Sequence, residues 1–268
     1  MSELPFRLEL PGFCPICRRR TTFQANGPWL RGTLLCSTCP NGSVPRERAL
    51  ALVLEEAAPN WRALRIHESS PANRGISVIL ARDCPGYVGS HYFPDHERGA
   101  SVNGWRNEDI ECQTFADAEF DLVVSLDVME HVFNPEAAFK EIFRTLKPGG
   151  YYVCTFPIQR SQVQALGVRA SISGGHITHH KEPEYHGNPI NHEGALVTVD
   201  YGYSIHQLIA EWVPFEVRIS RFSDREHGIL GEYTEVVVCQ KPGRPPPMSM
   251  RSQWVRRALR TVLKRLFG

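Results

Sequence analysis

Four cysteines near the start of the sequence have the spacing of a metal site. They form two Cys-x-x-Cys pairs, Cys14 with Cys17 and Cys36 with Cys39, and 18 residues separate the pairs. Two such pairs can hold four thiolates in the tetrahedral arrangement that zinc prefers. Since four sulfur ligands leave no position for water, we expect a structural zinc ion, which would stabilise this segment by an amount on the order of 10 kcal/mol.

A second group of reactive side chains lies near the middle of the chain, where residues 176–192 contain five of the eleven histidines. Near neutral pH, a neutral imidazole can accept a proton from an oxygen or nitrogen nucleophile. His186 and Tyr185, which are adjacent in an ordered-looking Pro-Glu-Tyr-His-Gly turn, are therefore candidate catalytic residues. His131 is a further candidate, with a structural, hydrogen-bonded role as its alternative.

Two other interpretations of the histidine-rich stretch remain open. His176, His179 and His180 have a spacing that could hold a catalytic metal if the segment were helical, although Gly174 and Gly175 before them disfavour a helix. Ordinary loop histidines are the remaining interpretation.

The pattern of apolar residues predicts alternating helices and strands. Ala138, Phe139, Ile142 and Leu146 form the inward face of one predicted helix, with Lys147 in its last turn. The predicted helices lie at 45–58, 76–82, from 135 onward and at 204–212, and the strands at 64–68, 87–92, 120–126, 151–156, 216–222 and 233–240. Such alternation favours an α/β fold with helices on both faces of a parallel sheet, closed by an antiparallel pair of strands.

These elements divide the chain into three predicted parts. Residues 1–44 form a zinc-ribbon-like segment, and residues 45–241 form the α/β domain. Within this domain, the irregular residues 157–200 are an insertion that we expect to cover the substrate. Residues 242–268 form a proline-rich linker and a basic amphipathic helix.

The centre of the α/β domain resembles the class I S-adenosylmethionine-dependent methyltransferases, in particular their small-molecule branch. The resemblance rests on Phe-Asp-Leu-Val at 120–123, Glu-His-Val at 130–132 and Leu-Lys-Pro-Gly-Gly at 146–150. It covers about 30 residues and implies a Rossmann-like, doubly wound sheet of seven strands with S-adenosylmethionine as cofactor. In open α/β sheets the ligand lies beyond the carboxyl ends of the strands.

The resemblance also implies positions for the cofactor. By position, residues 68–70 would approach its methionine part, Ser90 its ribose, Asp109 its adenine, and residues 125–127 its sulfonium end. The cofactor-binding residues expected on this basis are Glu68, Ser69, Ser70, Ser90, Asp109, Ser125, Leu126 and Asp127. The loop from residue 68 to 75 has only one glycine where the family has several. Two hypotheses follow: cofactor binding through side-chain hydroxyls, or loss of cofactor binding.

Two functions are therefore predicted as alternatives. The first is methyl transfer to a hydroxyl, amine or carboxyl group of a small molecule or of a glycan- or lipid-linked precursor. The second is a catalytically degenerate methyltransferase fold that binds partners through its zinc ribbon and basic tail. Binding of S-adenosylmethionine distinguishes the two.

Charge is distributed unevenly along the chain. The formal net charge is +1, but residues 1–240 carry 22 basic and 29 acidic side chains, a net charge of −7, and the remainder carries +8. This argues against nucleic acid as the main partner, despite Arg18-Arg19-Arg20 beside the cysteines. In residues 251–267, apolar and basic pairs alternate with helical period, which predicts peripheral contact with an anionic membrane. Docking on the acidic body or on a partner chain is the alternative.

The sequence also bears on cellular location. It has no run of about 18 apolar residues, and residues 1–10 have two acids and no apolar stretch long enough for a signal peptide. We therefore expect a cytoplasmic protein with reduced cysteines, in contact with the inner membrane surface if the tail is an anchor. The cysteines outside the paired set are expected to be small buried apolar residues: Cys84, Cys112, Cys154 and Cys239.

Overall fold

The N-terminal segment is a small antiparallel sheet that brings the cysteine pairs together. A computed structural model of the protein describes residues 6–190 and 193–243. The segment contains β1 (Leu8–Cys14), β2 (Arg19–Ala25), α1 (Leu30–Thr33) and β3 (Leu35–Cys36). The first cysteine pair lies in the turn between β1 and β2, and β3 pairs with β2. The second pair begins at the end of β3, so strand pairing places it against the first.

The first half of the α/β domain follows the predicted alternation. Its elements are α2 (Pro45–Ala57), β4 (Arg65–Ser69), α3 (Gly75–Asp83), β5 (Gly86–His91), β6 (Ser101–Val102), β7 (Trp105–Asn107), β8 (Phe120–Leu126), α4 (Pro135–Thr145) and β9 (Leu146–Thr155). The Asn134 side chain caps α4 by accepting a hydrogen bond from the Ala137 amide.

One predicted helix boundary is wrong. Lys147 was expected in the last turn of α4, but the helix ends at Thr145 and Lys147 lies in β9. Leu146 already pairs with Phe120 of β8, so strand pairing begins before the Pro148-Gly149-Gly150 stretch rather than after it. In this position the Lys147 ammonium group lies 2.8 Å from the Asp121 carboxylate.

The insertion consists of short hairpins, and regular structure resumes after it. Its strands are β10 (Leu166–Val168), β11 (Ala170–Ser173), β12 (His176–His179), β13 (Tyr185–His186), β14 (Ala195–Leu196) and β15 (Val199–Tyr201). The domain then closes with α5 (Ile205–Trp212), β16 (Glu216–Ser220) and β17 (Val236–Gln240).

The central sheet has eight strands in the order β16-β17-β9-β8-β4-β5-β7-β6. Seven were expected, and the additional strand is the two-residue β6, which pairs antiparallel with β7 at one edge. Strands β5, β4, β8 and β9 are mutually parallel, whereas β16 and β17 form the predicted antiparallel pair at the other edge. The α/β class and the Rossmann-like mixed sheet are therefore confirmed.

Two apolar cores lie on opposite faces of this sheet. Successive residues of β8 point to alternate faces, so Leu122 packs in one core and Val123 in the other. The first core contains α2, α3 and the N-terminal segment, and the second contains α4 and α5. Helices therefore cover both faces, as a doubly wound fold requires.

The N-terminal segment shares its core with the rest of the chain. Arg48 of α2 is fully buried, and its guanidinium donates hydrogen bonds to the carbonyls of Leu34 at 2.9 Å and Gly228 at 2.7 Å. The same guanidinium lies 4.5 Å from the centre of the Phe23 ring. One buried cation thus connects the cysteine segment, α2 and the loop before β17.

Three of the four cysteines outside the paired set are buried, as predicted, and one is not. Cys84, Cys154 and Cys239 are buried as expected, but Cys112 is exposed, because it lies in a tight surface turn where its amide donates to the Asp109 carbonyl. No helix of the described residues has the length and hydropathy needed to cross a bilayer. The predicted amphipathic tail, residues 251–267, lies outside the described residues, as does most of the linker.

Candidate active site and cysteine cluster

The four paired cysteines converge on one point. Their sulfur atoms all lie within 4.8 Å of one another, with 3.5 Å between Cys14 and Cys39 and 4.0 Å between Cys17 and Cys36. Zinc–sulfur bonds of about 2.3 Å in a tetrahedron place the sulfurs about 3.8 Å apart. All four are free thiols, and three of them are buried. The donor set and its spacing therefore suit a closed tetrathiolate site.

A cavity of about 730 Å³ opens at the carboxyl ends of β4 and β8. Six of the residues predicted for cofactor binding or catalysis line it: Ser70, Leu126, Asp127, His131, Tyr185 and His186. The insertion supplies its far wall, through residues 185–189. A volume of this size is typical of small-molecule sites, and the position agrees with the rule for open α/β sheets.

The N-terminal segment also lines this cavity, which the sequence did not indicate. Trp29, Arg31 and Asn41 come from the segment itself, and Arg46 comes from the first turn of α2. No motif distinguishes these residues in the sequence from other surface side chains. Only the packing of the segment against the sheet brings them to the site.

Asp127 forms ion pairs with two arginines that line the cavity. Its carboxylate lies 2.8 Å from the Arg31 guanidinium and 2.7 Å from that of Arg46, and it accepts a hydrogen bond of 3.0 Å from Thr155. Although burial opposes ionisation, the two arginines hold the pKa of Asp127 below its usual range. Asp127 is therefore a carboxylate that orients two cations at the cavity wall.

Glu68 was predicted to contact the cofactor, yet it does not line the cavity. Its carboxyl group is buried and accepts hydrogen bonds from Ser77 at 2.5 Å and Tyr87 at 2.8 Å. Burial raises the pKa of Glu68 to about 7, against the opposing effect of these two hydrogen bonds. Glu68 ties β4 to α3 and β5 behind the site.

Four further residues predicted to bind cofactor also lie away from the cavity lining: Ser69, Ser90, Asp109 and Ser125. The Ser90 hydroxyl lies 2.8 Å from Nε2 of His67, and the Ser125 hydroxyl lies 2.7 Å from that of Tyr152. Asp109 accepts a hydrogen bond from the Glu111 amide in a local turn. Their cofactor roles stay predictions.

The backbone at the strand ends adopts an unusual conformation. Ser70 and Asp127 both have left-handed φ angles, of 57° and 54°, although neither is glycine. Such residues concentrate at functional sites, where the surrounding structure holds them in place. The loop's single glycine, Gly75, has a φ of 55°, and a Cβ there would lie 2.0 Å from Oε2 of Glu47. The backbone angle and this close approach therefore both favour glycine at that position.

A compact cluster of Glu130, His131 and His186 stands between the main cavity and a smaller one of about 170 Å³. His131 Nδ1 donates a hydrogen bond of 2.9 Å to the Leu196 carbonyl. His186 Nδ1 lies 3.6 Å from Glu130 Oε1, and the Glu130 carboxylate raises the pKa of His186 against partial burial. Glu130 could have been suspected from its place in the Glu-His-Val motif after β8.

The other histidines of the insertion form no comparable cluster. His176 and His179 are exposed on strand β12, so the helical spacing that could have joined them to His180 does not exist. His180 Nε2 lies 2.9 Å from the Ser171 hydroxyl. Within the described parts of the chain, these side chains do not converge as metal ligands. His192 lies outside those parts.

Part of the chain is similar in sequence to known proteins. Residues 90–154 match the family described as "Methyltransferase domain". The chain is 40% identical over 52 residues to the ubiquinone biosynthesis O-methyltransferase of Maricaulis maris, covering 19% of this chain and 20% of the relative. It is 28% identical over 115 residues to the malonyl-[acyl-carrier protein] O-methyltransferase of Hahella chejuensis, covering 43% of this chain and 39% of the relative.

The matched region spans well under half the length of these curated relatives. Among solved structures, an S-adenosylmethionine dependent methyltransferase from Mesorhizobium loti aligns over 72% of this chain and 97% of its own, with a TM-score of 0.48 and 14% identity. The sequence match at residues 90–154 covers β8, α4 and most of β9, the elements that carry the motifs noted in the sequence. Residues 90–154 are therefore similar to the methyltransferase domain family.

Proposed function

We propose that this protein is an S-adenosylmethionine-dependent methyltransferase that methylates an oxygen atom of a small molecule or of a glycan- or lipid-linked precursor. The observation that carries the proposal is the cavity at the carboxyl end of β8, because β8 lies within the matched methyltransferase region. The choice of oxygen rests on the relatives, since both compared proteins bear the name O-methyltransferase.

The cavity has room and polarity for a cofactor with a charged amino-acid end. When bound, S-adenosylmethionine supplies a methyl group on a positively charged sulfur. Ser70, Leu126 and Asp127 lie where the strands β4 and β8 end and would hold its methionine and sulfonium parts. Arg74, on the same wall and a third exposed, donates from Nε to Glu47 at 2.8 Å, and its terminal N–H groups could bind an anionic group of a ligand. The hydroxyl of Ser70 supports the hypothesis that side chains replace the usual glycine-rich backbone contacts.

The opposite wall is suited to the acceptor. Tyr185 and His186 lie on the insertion, and His131 lies beyond β8, so all three face the cavity from one side. In the reaction, the acceptor oxygen bonds to the methyl carbon as the carbon–sulfur bond breaks, and the acceptor proton leaves to a nearby base. His186 is the proposed base. Catalysis would come largely from holding the two reactants in line.

The cysteine cluster and the tail complete the proposal. We infer that Cys14, Cys17, Cys36 and Cys39 hold a structural zinc ion, and that residues 251–267 contact an anionic membrane surface from the cytoplasmic side. The three parts at 1–44, 45–241 and 242–268 would then serve stability, catalysis and location. The alternative of a catalytically degenerate binding protein gains no support from the comparisons or from the cavity.

Calorimetry with S-adenosylmethionine and with its demethylated product tests the central claim. We expect both to bind zinc-loaded protein, and we expect Ala72→Trp, which fills the cavity, to abolish binding. Ala116→Trp, on an exposed loop, is the matched control. Absence of binding by the wild type at millimolar concentration would refute the proposal. If the wild type binds the cofactor, transfer of label from methyl-labelled cofactor to fractionated extracts would identify the acceptor.

A further inference from the structure

Glu130 is a buried acid whose nearest charged neighbours lie beyond hydrogen-bond distance. Glu130 is 1% exposed, and neither of its carboxylate oxygens has a hydrogen-bond partner among the described residues. Burying a carboxylate without compensation costs several kcal/mol, so buried acids are paired, protonated or bound to a metal. A buried acid without hydrogen bonds at the rim of a cavity is therefore suited to bind a cation.

Two histidines face Glu130 at distances that suit a shared ion. His186 Nδ1 lies 3.6 Å and His131 Nε2 lies 4.0 Å from Oε1 of Glu130, and one ligand atom from each of the three residues fits within 4.8 Å. These separations are too long for direct hydrogen bonds. Ligands bound at about 2.0–2.2 Å around a tetrahedral metal are about 3.4 Å apart, so a small inward movement of the side chains would suffice.

Each imidazole has one nitrogen toward Glu130 and the other toward an oxygen acceptor. His131 Nδ1 faces the Leu196 carbonyl, which can only accept, so the proton lies on Nδ1 and the Nε2 lone pair faces Glu130. His186 Nε2 lies 3.3 Å from the Glu184 carboxylate, which can accept its N–H, and in the neutral form of His186 this would leave the Nδ1 lone pair toward Glu130 for a metal. A metal-binding histidine typically donates its other N–H to a carbonyl or carboxylate in this way.

The cluster is also open on one side. His131 and His186 line the 730 Å³ cavity, and Glu130 and His186 line the smaller one. Two imidazoles and one carboxylate leave a coordination position for water or substrate, as in catalytic zinc sites. The tetrathiolate cluster, by contrast, is closed.

We propose that Glu130, His131 and His186 bind a divalent transition-metal cation such as Zn²⁺, Mn²⁺ or Co²⁺. Metal binding does not depend on the proposed transferase activity. The catalytic role of the cation does rest on that proposal. A cation here would lower the pKa of an acceptor hydroxyl, whose proton would pass to solvent. His186 would then be a metal ligand instead of a base. The net transfer of the methyl group is unchanged.

The competing account is a protonated His186 that neutralises Glu130 without metal. It places one positive charge near the carboxylate but leaves the carboxylate oxygens outside hydrogen-bond distance. It also predicts no affinity for a second metal ion. Metal binding therefore separates the two accounts.

The experiment uses full-length protein with zinc already bound at the cysteines, titrated with Mn²⁺ and followed by electron paramagnetic resonance. We expect one Mn²⁺ ion per chain in addition to zinc. Glu130→Gln and His186→Ala should each weaken Mn²⁺ binding by at least about tenfold, while their zinc content, a check on folding, stays at one ion per chain. His179→Ala, which removes an exposed histidine of the insertion, should bind Mn²⁺ like the wild type.

Two results would overturn the proposal. One is the absence of a second ion in zinc-loaded wild type when Mn²⁺, Co²⁺ and additional Zn²⁺ are each titrated. The other is unchanged affinity in a folded Glu130→Gln variant. A second ion bound by protein that fails to bind S-adenosylmethionine would support the metal site while refuting the methyltransferase function.

Discussion

The guanidinium of Arg31 lies 2.8 Å from the carboxylate of Asp127, and this ion pair joins the cysteine segment to the end of strand β8. Both side chains are largely buried, 6% and 14% exposed. The pair places a residue of the N-terminal segment at the cavity wall, next to the expected reaction centre. The cysteine segment is therefore a structural part of the candidate active site.

Arg31→Ala should destabilise the protein by about 3 kcal/mol, because it leaves a buried carboxylate with one arginine instead of two. Urea unfolding at neutral pH measures the change. Arg20→Ala, in the same segment, breaks an exposed ion pair with Glu226 and should cost less than about 1 kcal/mol. An equal decrease in the free energy of unfolding of the two variants would show that the buried Arg31 pair stabilises the protein no more than the exposed Arg20 pair does.

Cys36→Ser should remove the zinc ion, which metal analysis would detect as a loss of about one zinc per chain. Because the segment shares its core with α2, the variant should also unfold at a markedly lower temperature. The matched control is Cys112→Ser, an exposed cysteine outside the cluster, which should retain both zinc and stability. Retention of zinc by Cys36→Ser would contradict the tetrathiolate assignment.

Glu68→Gln should change the dependence of stability on pH. The folded protein keeps the Glu68 proton up to about pH 7, whereas an ordinary glutamate releases it near 4.5. Folding of the wild type therefore becomes less favourable as pH rises through this interval. The variant lacks this loss, so the difference in unfolding free energy between variant and wild type should increase by on the order of 3 kcal/mol as the pH rises from about 5 to about 8.

Urea unfolding at several pH values measures this difference, and effects common to both proteins cancel in the comparison. Glu216→Gln, which removes an exposed carboxyl group, should keep the pH profile of the wild type. A Glu68→Gln profile parallel to that of the wild type would show that burial does not hold the proton on Glu68.

His186→Ala should reduce turnover roughly 100-fold or more while leaving the affinity for S-adenosylmethionine unchanged, since we place the acceptor, and not the cofactor, beside His186 in the cavity. Labelled methyl transfer gives turnover, and calorimetry gives affinity. His179→Ala should match the wild type in both. Loss of cofactor binding by His186→Ala would mean that the cofactor and acceptor ends of the cavity have been interchanged.

Removal of residues 248–268 should abolish sedimentation with vesicles that contain anionic lipid, since each basic side chain near such a surface contributes up to about 1 kcal/mol. Neutral vesicles are the control and should bind neither protein. Methyl transfer to a soluble acceptor should persist in the shortened chain. Undiminished sedimentation would place the membrane contact elsewhere.

Local patterns in the sequence were enough for four helices, for six of the eight strands of the central sheet and for the cysteine cluster. The Cys-x-x-Cys pairs identified the cysteine cluster because a metal-binding knuckle is set by neighbouring residues alone. The apolar periodicity identified most of the helices and the buried central strands, and the motif from Phe120 to Gly150 indicated the similarity to methyltransferases that the family match at residues 90–154 also shows. The boundary at Lys147 was missed, since strand pairing with β8 decided it.

The tertiary structure alone decided which side chains meet at the cavity. Arg31 joins Asp127 across 96 positions of sequence, and His186 reaches Glu130 from a hairpin of the insertion. Such pairs depend on packing and on the loss of water around charges, which no local pattern encodes. For the same reason Glu68, which by position seemed to be a cofactor ligand, proves to be buried and satisfied by Ser77 and Tyr87. The sequence determined the kinds of groups present, and burial decided which of them face one another.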